Sequence, residues 1–399
     1  MSSIATDAAH VAATAAEPKG AAAPRWGGLD WPLMGFAGTL MAFGLLMILS
    51  ASSLDADATY GNAMHFVTRQ SAGLIMGCMV SAVVLMLPWS WMQRGAWVAY
   101  GGSLFSLALV MSPLGHSAKG AARWVKLGPI NLQPSEFAKV ALILVLSSYL
   151  ANNRGRLKDL VGVGLPGIAL LMPLVVLIVF QKDFGTTVIL LGLAGVLYFV
   201  AGLQWRYIVA GIGGALGLLA FLVAIEPYRL KRLTSFLDPF ADPDGAGYQV
   251  VQGWIALASG GPFGAGLATG VAQRGFLPEA HTDFISAVIG EELGAMGWMF
   301  TVVLLLGVVW RGFEISRRAP DFFGMLVAVG LSTMFAAQAI INMGVVAGLV
   351  PPKGLVLPFL SYGASAALFH TLCIGILLRI SMASGESEEL EEAEEPVAA

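Results

Sequence analysis

Charge is what this sequence has least of: only 12% of its 399 residues are Asp, Glu, Lys or Arg. A soluble domain usually carries about a quarter. With 57% hydrophobic residues, the chain holds more apolar side chains than a water-soluble core of this length can absorb, whereas a bilayer can take them. Cysteine is nearly absent. Cys78 and Cys373 both lie inside apolar runs, so a disulfide framework and a thiolate metal site are excluded. A cleavable leader is not visible either. Residues 1–26 are Ala-rich and polar, without an apolar core segment, and the first spanning helix is expected to stay in the mature protein. No internal repeat is apparent.

What is present is a succession of uncharged runs, each long enough to cross about 30 Å of hydrocarbon as helix. Spans are expected near 31–53, 71–89, 94–112, 136–151, 161–180, 185–202, 205–225, 283–310, 322–349 and 364–380. The expected fold is therefore all-α, a polytopic membrane bundle of about ten helices with one large extracytoplasmic loop over 226–282. A disordered N-terminal tail (1–30) and an acidic tail (381–399), dense in glutamate from Glu386 to Glu395, flank the membrane domain 31–380. An even number of spans puts both termini on one side, expected to be the cytoplasm.

Lys and Arg are nearly balanced between the two sets of loops, so the positive-inside rule gives only a modest preference for that orientation, once the long loop is set aside. The balance is informative in itself. Outer loops that keep many cations either pair them with lipid phosphates and acidic loop residues or use them on something anionic. The long loop is rich in Gly and Pro, and Asp238, Asp242 and Asp244 lack the spacing of a calcium-binding EF-hand, so they read as turn formers. Its Trp254, Ile255, Leu257 and Phe263 are expected to pack on the membrane or the bundle.

Polar groups at the membrane boundary cost free energy to bury and mark candidate sites. Three clusters stand out. "KGAARWVKLGPINLQPSEFAK" at 119–139 carries Lys119, Arg123, Lys126 and Lys139 and ends in a helix start at Pro134-Ser135-Glu136. A glycine-bearing cationic loop can wrap an oxyanion. "LPEAHTDFISAVIGEELG" at 277–294 places Asp283 where a long apolar helix opens. There it can be an N-cap or a general base in a partly dry site. Glu291 and Glu292 lie deeper on the same helix and either line a proton path or lock helices together. "PPKGLVLPFLSYGAS" at 351–365 is an irregular segment that carries Lys353 and is expected to dip into the membrane. This chemistry suits a lipid-linked diphosphate and equally a transported anion.

Together and in order, these stretches, with "EPYRLKRLTSFLDPFADPDGAGYQ" at 226–249, resemble the signatures of the SEDS family (shape, elongation, division and sporulation proteins) over roughly residues 30–380. "GYQ", "PEAHTDFI" and "IGEELG" are more similar to the division branch than to the elongation branch. The resemblance implies a peptidoglycan glycosyltransferase of the inner membrane at the septum, acting on lipid II and the nascent glycan chain. Asp283 would be the general base. Lys119, Arg123 and Lys353 would hold the diphosphate, with Glu279, Glu136 and Lys139 as further substrate-binding candidates. A divalent cation, magnesium or manganese, is a candidate cofactor, although no compact ligand set is visible. Expected partners are a class B penicillin-binding transpeptidase, other divisome proteins and membrane lipids; no nucleic acid is expected. A lipid II flippase and a non-catalytic divisome scaffold are the competing readings. Two departures from the family pattern stand out: Ala366 occupies the place of a second serine after Gly363-Ala364-Ser365, and Ala272-Gln273-Arg274 replaces a Gln-Lys pair.

Overall fold

The structure, a computed structural model, describes residues 28–394 apart from 114, 119–120, 128–129, 226–230, 232–234, 244, 246 and 273–274. Seven long helices come first: α1 (Trp31–Tyr60), α2 (His65–Met86), α3 (Trp89–Val110), α4 (Pro134–Asn152), α5 (Leu165–Phe180), α6 (Phe184–Ala201) and α7 (Trp205–Ala224). After a short helix, α8 (Tyr248–Gly260), the chain closes with α9 (Ile285–Arg317), α10 (Phe322–Val346) and α11 (Ala364–Glu394). Among the described residues, nine helices are long and apolar enough to cross a bilayer. The tenth expected span, α3, has 22 residues, enough length, but Gln93 and Arg94 in its first half lower its hydropathy.

Aspartates set several helix starts. Asp30, Asp183 and Asp321 each accept a backbone N–H from the first turn of α1, α6 and α10, satisfying donors that a helix leaves orphaned. α1 stops at Gly61, whose left-handed backbone (φ 64) lets its N–H return to the Asp57 carbonyl. The core is apolar and continuous, running from Leu33 and Leu40 of α1 through Ile285–Ile289 of α9 to Leu377 of α11. Ser381 of α11 donates to the Gly28 carbonyl at 2.7 Å, so the chain enters and leaves the bundle at the same end.

Three features depart from the sequence expectation. The segment after α3 forms a three-stranded antiparallel sheet, β1 (Gly115–Ala118), β2 (Ala121–Leu127) and β3 (Ile130–Leu132), in the order β1-β2-β3. The fold is thus a helical bundle with one small sheet. The acidic tail continues α11 as helix to Glu394, because Glu and Ala are good helix formers and no proline intervenes before Pro396. Finally, α9 is two helices merged across a break at Gly294 (φ 67, ψ −163).

That break is laced shut by the segment after α8. The carbonyls of Glu291 and Glu292 accept the N–H groups of Ala265 (2.9 Å) and Gly266 (3.0 Å), and Ala295 N–H donates to Gly261 at 2.9 Å. The Glu291 carboxylate takes the N–H groups of Val271 and Ala272 at 2.7 and 3.1 Å, while Glu292 accepts Ser50 Oγ at 2.6 Å. Backbone released at membrane depth is tolerated only when it finds partners this way. Both glutamates therefore lock elements together. The segment 347–363 also enters the bundle: Leu355, Leu357, Phe359 and Leu360 are buried, and the Phe359 carbonyl lies against α1 where only Gly44 leaves room. Trp254 of α8 packs on Gly348, and Ile255 and Phe263 face outward, so the long loop packs on the bundle and offers apolar side chains to its surroundings.

Candidate functional site

At the end of the bundle opposite Gly28 and Ser381, the turn between α1 and α2, the sheet, the α5–α6 turn, the 277–284 segment and the 347–363 segment surround a cavity of about 680 Å³. Its wall includes Arg69, Arg123, Glu136, Asp183, Glu279, Asp283 and Tyr362. Thus four of the residues singled out from sequence (Arg123, Glu136, Glu279 and Asp283) meet in one space, although they come from two separate stretches of chain.

Asp283 is half-buried. The helix it precedes starts at Ile285, and the cap position belongs to Phe284, one residue after Asp283. Its Oδ2 lies against the backbone of Gly354, so close that a Cβ there would sit 2.8 Å away. One turn earlier Glu279 holds a left-handed backbone (φ 57), a conformation that costs a non-glycine residue about 1–3 kcal/mol and tends to cluster at working sites. Thr282 Oγ1 donates to Glu279 Oε2 at 2.9 Å.

Arg123 rises from β2 and is partly engaged: its guanidinium donates to the carbonyls of Lys182 (2.6 Å) and Gln181 (3.4 Å). This fork braces the sheet against the α5–α6 turn while the side chain still borders the cavity. Arg69 hydrogen-bonds Tyr362, whose phenol burial pushes its pKa up. Glu136 and Lys139 form an ion pair at 2.8 Å on the first turns of α4, with side chains 6% and 1% exposed. Glu136 reaches the cavity wall. Lys139 is not among the wall residues and is charge-paired with Glu136. Lys353 is likewise not a wall residue. Its ammonium stands 4.8 Å over the Phe184 ring, and burial lowers its pKa from the usual lysine value. Lys119, Gln273 and Arg274 lie outside the described residues. Ala366 lines the cavity, so the hydroxyl missing from this chain is missing from the site itself.

Sequence reading missed Arg69, Asp183 and Tyr362 as wall residues. Arg69 had the one available signal, a cation at an outer helix end. Asp183 stood in none of the three clusters, and Tyr362 lay in the 351–365 stretch without being singled out. Among the described residues, no group of three or more His, Cys, Asp and Glu gathers in metal-binding fashion.

The family described as "Cell cycle protein", which groups FtsW, RodA and SpoVE, matches residues 31–386. This chain belongs to that family. It is 38% identical over 374 residues to a protein of Halothiobacillus neapolitanus named "Probable peptidoglycan glycosyltransferase FtsW", covering 92% of this chain and 89% of that one. A Trichlorobacter lovleyi protein of the same name is 40% identical over 343 residues, 86% of this chain and 90% of the relative. Among solved structures, one described as "Structural coordination of polymerization and crosslinking by a peptidoglycan synthase complex" superposes with a TM-score of 0.74 at 28% identity, covering 89% of this chain and 98% of that one. Thermus thermophilus RodA superposes with a TM-score of 0.67 at 27% identity, covering 90% and 98%. The fold of this family member is thus a multi-pass membrane bundle, as its composition required.

Proposed function

We propose that this chain is a peptidoglycan glycosyltransferase that polymerises lipid II at the division septum, with the cavity on the outer side of the inner membrane and both termini in the cytoplasm. The observation that carries the reading is the cavity itself. It joins a half-buried carboxylate, Asp283, to the guanidinium groups of Arg69 and Arg123. In the proposed reaction, Asp283 accepts the proton of the acceptor GlcNAc 4-hydroxyl as that oxygen bonds to C1 of the donor MurNAc. The C1–O bond to the lipid diphosphate breaks, and the developing charge on the leaving group faces preorganised cations. Arg123 and Arg69 border that space, and Lys353 reinforces the positive field from behind. Glu279 orients the wall beside Asp283 through Thr282.

A magnesium or manganese ion would have to arrive with the diphosphate, because the wall offers carboxylates only in ones and twos; such ions are often held by one or two carboxylates plus substrate phosphates. Glu279 or Asp283 would supply the protein ligand, and the ion would neutralise leaving-group charge. The named complex among the solved relatives supports a class B penicillin-binding transpeptidase as partner, with other divisome proteins around it. A flippase would need a polar path through the bundle. Of the candidates for lining one, Glu291 spends both carboxylate oxygens on Val271 and Ala272, and Glu292 accepts Ser50 through one of its two oxygens.

The test is polymerisation of lipid II by the purified full-length chain with its transpeptidase partner, comparing wild type with Asp283→Asn. Wild-type polymer and loss of at least about 10²-fold in the variant is the expected result, the scale on which acid–base groups act. Equal polymer from both would remove Asp283 from the chemistry. Lipid II crossing vesicle bilayers without any polymer would favour the flippase reading.

A further inference from the structure

Behind the cavity wall, one buried amide ties its two decisive segments together. Asn342, on the last turns of α10, is 1% exposed. Its Nδ2 donates to the backbone carbonyl of Asp283 at 2.9 Å and to that of Leu355 at 2.7 Å. Each N–H thus serves one carbonyl. On the other end, its Oδ1 accepts Ser286 Oγ at 3.4 Å, so two acceptors and one donor fix which end of the amide is which. Ser286 is itself held, its carbonyl accepting Trp298 Nε1 at 3.1 Å.

We infer that Asn342 is a positioning residue for Asp283, setting the carboxylate against the Gly354 backbone and at fixed reach from the cavity; this rests on the reading of Asp283 as the base. Asp283 stands outside regular helix, one residue before the cap position of α9, so no helical ladder holds its carbonyl. Leu355 belongs to the irregular 347–363 segment, which has no ladder either. The two segments also meet near the site through Tyr362 N–H and the His281 carbonyl at 2.8 Å. That tie lies two residues before Asp283, whereas the amide acts on the Asp283 carbonyl itself. The contact between Asp283 Oδ2 and Gly354 tolerates no added atom, so a small pivot changes where the carboxylate meets an acceptor hydroxyl.

A displacement of about 1 Å at a reacting group can cost on the order of 10²-fold in rate. Asn342 is not among the residues of the cavity wall, so substrate affinity is not expected to depend on it. The expected signature is therefore a split between kcat and KM.

The experiment measures lipid II polymerisation per folded molecule for wild type, Asn342→Leu, Asn342→Gln and Asp283→Asn, each as full-length chain with its transpeptidase partner. Asn342→Leu keeps the branching and heavy-atom count of the side chain and removes both donors. Its kcat is expected to fall on the order of 10²-fold while KM for lipid II stays within about twofold. The acid limb of its pH–rate profile is expected to move, since the environment of the base has changed. Asn342→Gln keeps both donors on a longer arm and is expected to recover part of the kcat. The double variant Asn342→Leu/Asp283→Asn is expected to be no slower than Asp283→Asn alone, because residues acting as one unit are not additive.

Two failures are distinguishable. If Asp283→Asn is dead but folded Asn342→Leu keeps wild-type kcat and pH profile, Asn342 only packs, and the inference is overturned. If Asp283→Asn itself polymerises normally, the reading of the base fails first. Should Asn342→Leu yield too little folded protein, Asn342→Gln against wild type carries the test, with an unchanged kcat and pH profile counting against a positioning role.

Discussion

Gly354 and Lys353 are neighbours in sequence with opposite duties. Gly354 is needed for what it lacks. A methyl group there would press on the Asp283 carboxylate, its Cβ only 2.8 Å from Oδ2. Gly354→Ala is therefore expected to lower polymerisation on the order of 10²-fold by displacing the base, with a thermal unfolding midpoint close to wild type because the clash is relieved by moving one side chain at the cavity edge. A variant with full activity would mean that the Asp283 carboxylate can move without consequence. Lys353 would act through its charge, which desolvation by burial disfavours, lowering the pKa from 10.5. The sign follows. The cation is present below the lowered pKa and lost as pH rises through it, so affinity for an anionic lipid carrier declines at a pH below that of an exposed lysine. Lys353→Arg keeps its charge throughout. Titrating KM for lipid II from neutral to alkaline pH is expected to show a rise in wild type that the arginine variant lacks.

At the scale of elements, the break in α9 decides how the cavity wall is carried. Glu291 clamps the N–H groups of Val271 and Ala272, and Ala272 in turn accepts Leu277 N–H at 3.2 Å, which leads directly to Glu279 and Asp283. Gly294→Ala would force a side chain into a left-handed backbone and against the backbone of Phe263 and Gly264, costing at least about 1–3 kcal/mol. A clear drop in thermal midpoint and faster proteolysis between 261 and 277 are the expected results; an unchanged midpoint would show that the break relaxes freely. The long helices were legible in the sequence because charge-free runs of the right length have few other readings. The break was not. Gly294 is one of 49 glycines, and nothing local distinguishes a glycine that opens a helix from one that packs inside it. The sheet was hidden for a similar reason, since strands of 4, 7 and 3 residues are too short to show alternation. Asp283, Glu279 and Glu136 were legible as polar groups near helix starts, and Arg123 as a cation of a glycine-bearing loop. Asn342 lay inside an apolar run, where its value depends on two carbonyls far away in sequence.

Over the whole molecule, the polar groups are distributed unequally between the two ends of the bundle. The end at Gly28 and Ser381 carries the Asp30–Arg311 ion pair and the Glu314 carboxylate shared by Arg317 and Arg318, with Arg154 and Arg206 laid over the Phe322 and Tyr207 rings. The opposite end carries the cavity, where Arg69 and Arg123 border open space. Cations around a cavity suit an anion that arrives from outside the protein. This asymmetry supports placing the cavity on the outer surface, and the placement can be measured independently of activity. Asn131 on β3 is exposed at the cavity rim, and Gly155 is exposed in the turn at the other end. Cys373 is buried and Cys78 is exposed on a spanning helix, so a Cys78→Ala background leaves no competing accessible thiol among the described residues. In intact cells, a membrane-impermeant maleimide is expected to label Asn131→Cys at once and Gly155→Cys only after permeabilisation. The reverse pattern would put the cavity in the cytoplasm, where a polymerase of exported lipid-linked sugars has no substrate to elongate, and the proposed function would fall with the orientation.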